Sequence, residues 1–213
     1  MTARIIIVTD PVFGDDGIVK TVEAVARAIP RGGLCVQLRD KQRALVSLRV
    51  FASRLRLVTR QLGASLVING DARLARDVGA DGVHLGRGSG SVADARAVCG
   101  ERSWVSVSAH SDKAVRAALK DGATAALVSP VFESRPPSVY AEVKEGRGLD
   151  ALRSARAIAG DKMLVYALGG VDADNARACA EAGADGVAVV RALLACPEPG
   201  LVGRAMHDAL ASH

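Results

Sequence analysis

Short apolar runs recur along the chain, separated by longer stretches in which apolar residues return every three to four positions. The runs are continuous rather than alternating, beginning with Ile5-Ile6-Ile7-Val8, as expected of strands buried on both faces. They predict strands at 4–9, 34–38, 65–68, 82–85, 103–107, 124–128, 163–168 and 186–190. The intervening stretches predict helices at 17–29, 42–62, 92–98, 112–120, 149–159 and 199–211, with shorter ones ending near Val78 and at Gly183. Eight strands in strict alternation with helices argue for a single (β/α)8 TIM barrel, with 1–213 as one domain and the chemistry just past the strand ends.

Three phrases repeat a helix-to-strand joint: VGADGVHLG from Val78, DGATAALVS from Asp121 and AGADGVAVV from Ala182. In each, a glycine stops one helix shortly before the next strand: Gly79, Gly122 and Gly183. The segment 130–148 breaks the rhythm, and an irregular stretch of that length inside a compact domain points to a functional loop or a disordered one.

The seventh strand ends on Gly169 and Gly170, followed by Asp172 and Asp174, either of which can cap a helix. That helix would aim its amide ends at the glycines, forming an anion-binding corner where barrels of this class often hold phosphate. The turn after Val190, with Arg191, is the neighbouring contributor, and Gly170→Val is expected to block the corner while leaving the fold intact.

Hydrophobic residues make up 49% of the 213 and aromatic ones 3%, so the core must be built from Ala, Val, Leu and Ile. A formal charge of +5 without basic runs among aromatics gives no nucleic-acid signature, though it favours small anions. Cys35, Cys99, Cys179 and Cys196 are too dispersed for a disulfide framework or a CxxC metal site. The chain enters its first strand directly, with neither signal peptide nor spanning segment, which predicts a cytoplasmic protein with no membrane partner. A homo-oligomer is compatible with all of this.

Polar residues gather at the predicted strand exits: Thr9 and Asp10; Gln37, Arg39 and Lys41; Asn69 and Asp71; His84 and Arg87; Ser108 and His110; Ser129 and Glu133; Gly169 and Gly170; and Arg191. As a set they suit an anion and a polar ring.

At these positions the chain resembles the thiamin phosphate synthase and thiazole tautomerase (TenI-like) family of barrels. The resemblance is carried by Val36-Gln37-Leu38-Arg39-Asp40-Lys41, Val67-Ile68-Asn69, Ala80-Asp81-Gly82-Val83-His84-Leu85-Gly86, Val107-Ser108-Ala109-His110, Pro130-Val131-Phe132, Gly148-Leu149, Gly169-Gly170 and the run from Ala182 to Val189. For a synthase it implies joining an aminopyrimidine diphosphate to a thiazole phosphate, with magnesium screening the departing diphosphate. Gln37, Arg39, Lys41 and Asn69 match the diphosphate-holding positions, Ser108 a pyrimidine contact and Gly169-Gly170 the thiazole phosphate site.

Two acidic positions that hold magnesium in synthases are Gly70 and Ser89 here, and the lysine of a Thr-x-Thr-Lys loop falls at Pro137, with Ser134 keeping a hydroxyl. Losing both carboxylates removes the hard oxygen ligands a small dication wants, so no cofactor is expected, and Mg2+ only if the chain is a synthase. Asn69-Gly70, Gly88-Ser89-Gly90-Ser91, Val131-Phe132-Glu133-Ser134 and Glu145-Gly146-Arg147-Gly148 resemble the tautomerase side, although the histidine base of one kind of tautomerase falls at Pro130. The leading expectation is a tautomerase acting on a thiazole phosphate, with His110, His84 or Glu133 as the proton carrier. A synthase and a non-catalytic phosphate binder are the alternatives.

Overall fold

The computed structural model describes residues 3–134 and 143–211. Eight parallel strands close into a barrel in sequence order: β1 Ile5–Val8, β2 Leu34–Leu38, β3 Ser65–Asn69, β4 Gly82–Leu85, β5 Trp104–Ala109, β6 Ala125–Val128, β7 Leu164–Leu168 and β8 Gly186–Val189. The helices are α1 Asp15–Ala28, α2 Leu45–Leu62, α3 Ala72–Asp77, α4 Val92–Cys99, α5 Asp112–Lys120, α6 Asp150–Ala159, α7 Ala176–Glu181, α8 Arg191–Leu194 and α9 Pro199–Ala211. The expected (β/α)8 barrel is therefore the observed one, with an unforeseen 3-10 turn at Pro11–Phe13 and the short α8 added. No helix among the described residues is long and apolar enough to cross a membrane.

Strand alternation sorts the core into two layers. Outward residues such as Ile5, Ile7, Leu34, Val36, Leu66, Ile68 and Val165 pack under the helices, while Ile6, Val8, Cys35, Val67, Leu127, Tyr166 and Ala188 fill the lumen. Trp104 and Tyr166 meet edge to face, ring centroids 6.1 Å apart, and the Tyr166 hydroxyl donates to the Ala3 carbonyl at 2.6 Å. These two large rings plug the lower lumen.

The repeated phrases prove to be a clamp at that lower end. Asp81 Oδ2 accepts the Leu66 amide at 2.8 Å and Arg56 Nη1, from α2, at 2.7 Å. Two units on, Thr124 Oγ1 accepts the Val105 amide at 3.2 Å and lies 3.5 Å from Arg96 Nη2 of α4. Two further on, Asp185 Oδ2 accepts the Val165 amide at 2.7 Å and pairs with Arg156 of α6. Each joint ties a helix arginine, a strand-base amide and the next strand's leading residue. At the fourth equivalent place Gly33 stands instead, and its carbonyl takes the Arg4 and Ile5 amides at 3.1 Å.

Several boundaries differ from the sequence reading, each for a local reason. β5 runs on to Ala109, so Ser108 lies inside the strand rather than beyond it. α2 starts at Leu45, because Asp40 draws the amides of Gln42 and Arg43 into a turn first. α7 begins at Ala176, where neither Asp172 nor Asp174 caps it; Asp172 Oδ1 instead accepts the amides of Asp174 and Asn175. That helix is therefore displaced from Gly169-Gly170 by an intervening turn.

Candidate active site

The upper lumen has a polar wall built by β2 to β5. Registers Gln37↔Val67, Asn69↔His84 and His84↔Ser106 set these side chains beside one another around the barrel. Gln37, buried, donates from Nε2 to Asn69 Oδ1 at 3.2 Å. His84 is 3% exposed, with Nδ1 2.9 Å from Ser106 Oγ and Nε2 2.9 Å from Ser108 Oγ. Burial pushes its pKa down to about 4, helped by the nearby charges of Arg39 and His110, so the ring is neutral at pH 7. A neutral imidazole donates through one nitrogen and accepts through the other, so one serine hydroxyl accepts from the ring and the other donates to it.

Arg39 leaves β2 with its main chain held at both polar atoms. Thr9 Oγ1 accepts the Arg39 amide at 2.8 Å and donates to its carbonyl at 3.2 Å. The following loop is braced by Arg43, which reaches Asp40 at 2.8 Å, grips both Asp15 oxygens at 2.6 and 2.8 Å, and lies 5.0 Å over the Phe51 ring. The Asp15 carboxyl is held below its usual range by the Arg43 hydrogen bond. Lys41 extends from this braced loop and is exposed.

His110 is exposed, and its Nδ1 sits 2.8 Å from the Ser129 carbonyl oxygen. That oxygen can only accept, so the neutral ring carries its proton on Nδ1 and keeps a lone pair on Nε2. Glu133 is exposed as well, outside the dry surroundings its candidacy requires. The histidines thus differ in kind: His84 is enclosed and engaged at both nitrogens, His110 open at one.

Gly169 and Gly170 both adopt positive φ, +95° and +66°, and both are crowded. A Cβ on Gly169 would lie 2.8 Å from Pro130 Cα, and one on Gly170 would run into the Glu133 carbonyl and sit 2.7 Å from Phe132 Cβ. The close approach these glycines permit is therefore by the 130–133 segment, and the expectation that Gly170→Val spares the fold is corrected. The amides of Gly170, Arg191 and Ala192 meet no acceptor among the described residues. Leu168↔Ala188 pairing sets these two exits side by side.

The neck of the 130–148 loop is zipped: Val131 donates to Leu168, Phe132 to Gly169, Arg147 to Pro130 and Gly148 to Val131, each at 2.9–3.0 Å. Ser134 and Lys144 form an antiparallel bridge that occupies the Ser134 main chain. Pro137 and the rest of 135–142 lie outside the described residues.

A family model described as thiamine monophosphate synthase matches residues 5–193. The chain belongs to that family. It is 36% identical to a thiamine-phosphate synthase of Gloeobacter violaceus across 93% of its own length but 54% of that protein, so it spans about half of that relative. It is 32% identical to a thiamine-phosphate synthase of Geobacillus thermodenitrificans, over 93% of this chain and 90% of the relative. A thiamine phosphate pyrophosphorylase from Pyrococcus furiosus superposes with a TM-score of 0.83 at 23% identity, covering 99% and 96% of the two chains; that likeness is one of fold.

Within the thiamine monophosphate synthase family the two neutral positions, Gly70 and Ser89, become the telling ones. A Cβ on Gly70 would lie 3.3 Å from Ser89 Oγ, so side chains at these places, far apart in the sequence, face each other. Gly70 (φ +80°) gives its amide to the His84 carbonyl, and Ser89 Oγ accepts the Gly86 amide at 3.2 Å. Carboxylates there would form a dication seat; glycine and serine do not fit one. Asp71, the adjacent acid, caps α3 by accepting the Leu74 amide at 2.8 Å. Among the described residues no group of three or more His, Cys, Asp or Glu could hold a metal.

Sequence reasoning missed Ser106, Thr9 as the Arg39 clamp, and the Asp40–Arg43–Asp15 brace. Ser106 was available from alternation alone, since Trp104, Ser106 and Ser108 share the inward face of β5.

Proposed function

We propose that the chain is a transferase of the thiamine-phosphate synthase type, joining an aminopyrimidine diphosphate to a thiazole phosphate. The single observation that carries this is the wall of Gln37, Asn69 and Arg39, with Lys41 beside it, which keeps the family's diphosphate-holding set together at the neighbouring β2 and β3 exits. The relatives, named as synthases, support the transferase better than the tautomerase that the sequence favoured. In the reaction the bond from the pyrimidine methylene carbon to the diphosphate oxygen breaks, and its electron pair leaves with the diphosphate. A thiazole ring nitrogen lone pair forms the new C–N bond. Arg39 and Lys41 offset the charge growing on the leaving group. Ser108, held by His84, contacts the pyrimidine, and the Gly170 and Arg191 amides hold the thiazole phosphate, with the Ser134 hydroxyl as a further donor.

A second reading, the tautomerase, is favoured by Gly70 and Ser89, which leave the diphosphate without a metal seat, and by the open Nε2 of His110. One assay separates them. Supplied with both substrates, a synthase releases diphosphate and thiamin phosphate in equal amounts. If neither appears while the thiazole phosphate alone exchanges a ring proton with solvent, the transferase reading falls; His110→Asn should then slow exchange by roughly 10²-fold. If neither reaction occurs and the phosphate still binds, the protein is a ligand binder.

A further inference from the structure

Seven large hydrophobic residues are exposed among the described residues, and four of them lie on α2: Leu45, Val46, Val50 and Leu57. At 100° per residue, Val46, Val50 and Leu57 fall within about 40° of one another, on the side directly opposite the buried Leu55 and Ala52. Ser53 completes the ridge. This is the reverse of ordinary amphipathicity, because the outermost line of a surface helix should be its most polar. Val46 is 77% exposed, Val50 68% and Leu57 65%.

Charges flank this ridge without crossing it. On the α1 side Arg54 pairs with Asp16 at 2.6 Å, and on the α3 side Arg49 pairs with Asp77 at 2.7 Å. A groove of about 330 Å³ beside the ridge is lined by Asp15, Arg43, Val46, Val50, Phe51 and Arg54. The flanking cations are thus already matched by acids of this chain, so an acidic or basic partner gains little from them.

We propose that the α2 ridge is an interface with a second copy of this chain, the two α2 helices lying antiparallel across a two-fold axis. The sequence of the ridge is its own complement in that arrangement. An axis passing between Phe51 and Ala52 sets Val46 against Leu57 of the second copy and Val50 against Ser53, large against small. The same axis keeps each flank with its own kind, bringing Arg54 of one copy toward Asp16 of the other, so charge as well as shape is self-matched. The interface borders Arg43, the brace of the loop that carries Arg39 and Lys41.

Sedimentation of the full chain between about 1 and 100 μM should show a monomer–dimer equilibrium. Val46→Glu and Leu57→Lys, both at exposed sites, should each leave the circular dichroism spectrum unchanged and weaken the dimer at least about tenfold. The double variant should restore it, because the introduced carboxylate and ammonium meet only across the axis; within one helix the two positions lie about 16 Å apart. A wild type that stays monomeric throughout overturns the proposal. So does a dimer indifferent to Val46→Glu, or a double variant no better than its parents, which would place association on another face or register.

Discussion

His84 stands where a charge is costly, and that has a measurable sign. Its pKa is 6.5 in the unfolded chain and about 4 when folded, so between those values the unfolded chain binds more protons. Stability from this group is complete above about pH 6.5 and falls as pH drops toward 4, by about 3 kcal/mol in all. The thermal midpoint should therefore decline between pH 6.5 and 4.5, and His84→Asn should flatten the decline, leaving the smaller share of His207, whose pKa burial also lowers. An unchanged slope in His84→Asn would mean the ring is not buried neutral. The same ring touches Ser108, the pyrimidine contact of the proposed reaction. If His84 acts by orienting that hydroxyl, His84→Asn and Ser108→Ala should each cut turnover by about tenfold, and the double variant little more than either. Losses that multiply would break the link. The sequence placed His84 and Ser108 at neighbouring exits, but a strand-end histidine reads alike whether it faces solvent or two serines. Only burial separates it from His110, and burial depends on residues far away in the chain.

At the scale of elements, the repeated phrases were legible as helix-to-strand joints, yet their polar residue was not legible as a clamp. Its partners come from the helix before and the strand between, positions that show no common spacing. Asp185→Ala should leave the buried Val165 amide and the Arg156 guanidinium without their shared acceptor, costing about 2–3 kcal/mol. Thr124→Val removes a longer, neutral contact and should cost about 1 kcal/mol. Chemical denaturation of the two variants tests the order; equal costs would argue against the ionic joint as the stronger one. The glycine pair teaches the converse. Gly169-Gly170 was recognisable as a place of close approach, but what approaches, the Pro130–Glu133 segment, is a contact across strands that no local pattern carries. Gly170→Val should destabilise the β6–β7 side of the molecule by about 2 kcal/mol or more, through positive φ and the clash together, and raise amide exchange in the zipped neck.

For the whole molecule, the barrel followed from eight buried runs in alternation, a pattern that survives errors of a few residues at each boundary. Its mouth is divided. β2 to β5 present Gln37, Asn69, His84 and Ser108, while β6 to β8 and β1 present Leu127, Leu168, Val190 and Val8. In the proposed reaction the diphosphate would lie against the polar half, while the thiazole phosphate would sit above the apolar half at the Gly170 and Arg191 amides. Whether the diphosphate needs a metal turns on Gly70 and Ser89, since two carboxylates there would meet across the Asn69 exit. Calorimetry with diphosphate should show binding to the wild type that magnesium changes by less than about threefold, the donors being Arg39 and Lys41 rather than a dication. Ser89→Asp alone should add little. Gly70→Asp with Ser89→Asp should make diphosphate binding magnesium-dependent by about tenfold or more, at a stability cost of about 1 kcal/mol because φ at position 70 is +80°. A stoichiometric, magnesium-dependent signal from the wild type would reveal another acid in the seat. The one placed to supply it is Asp71, and the α3 cap that Asp71 now makes would have to open.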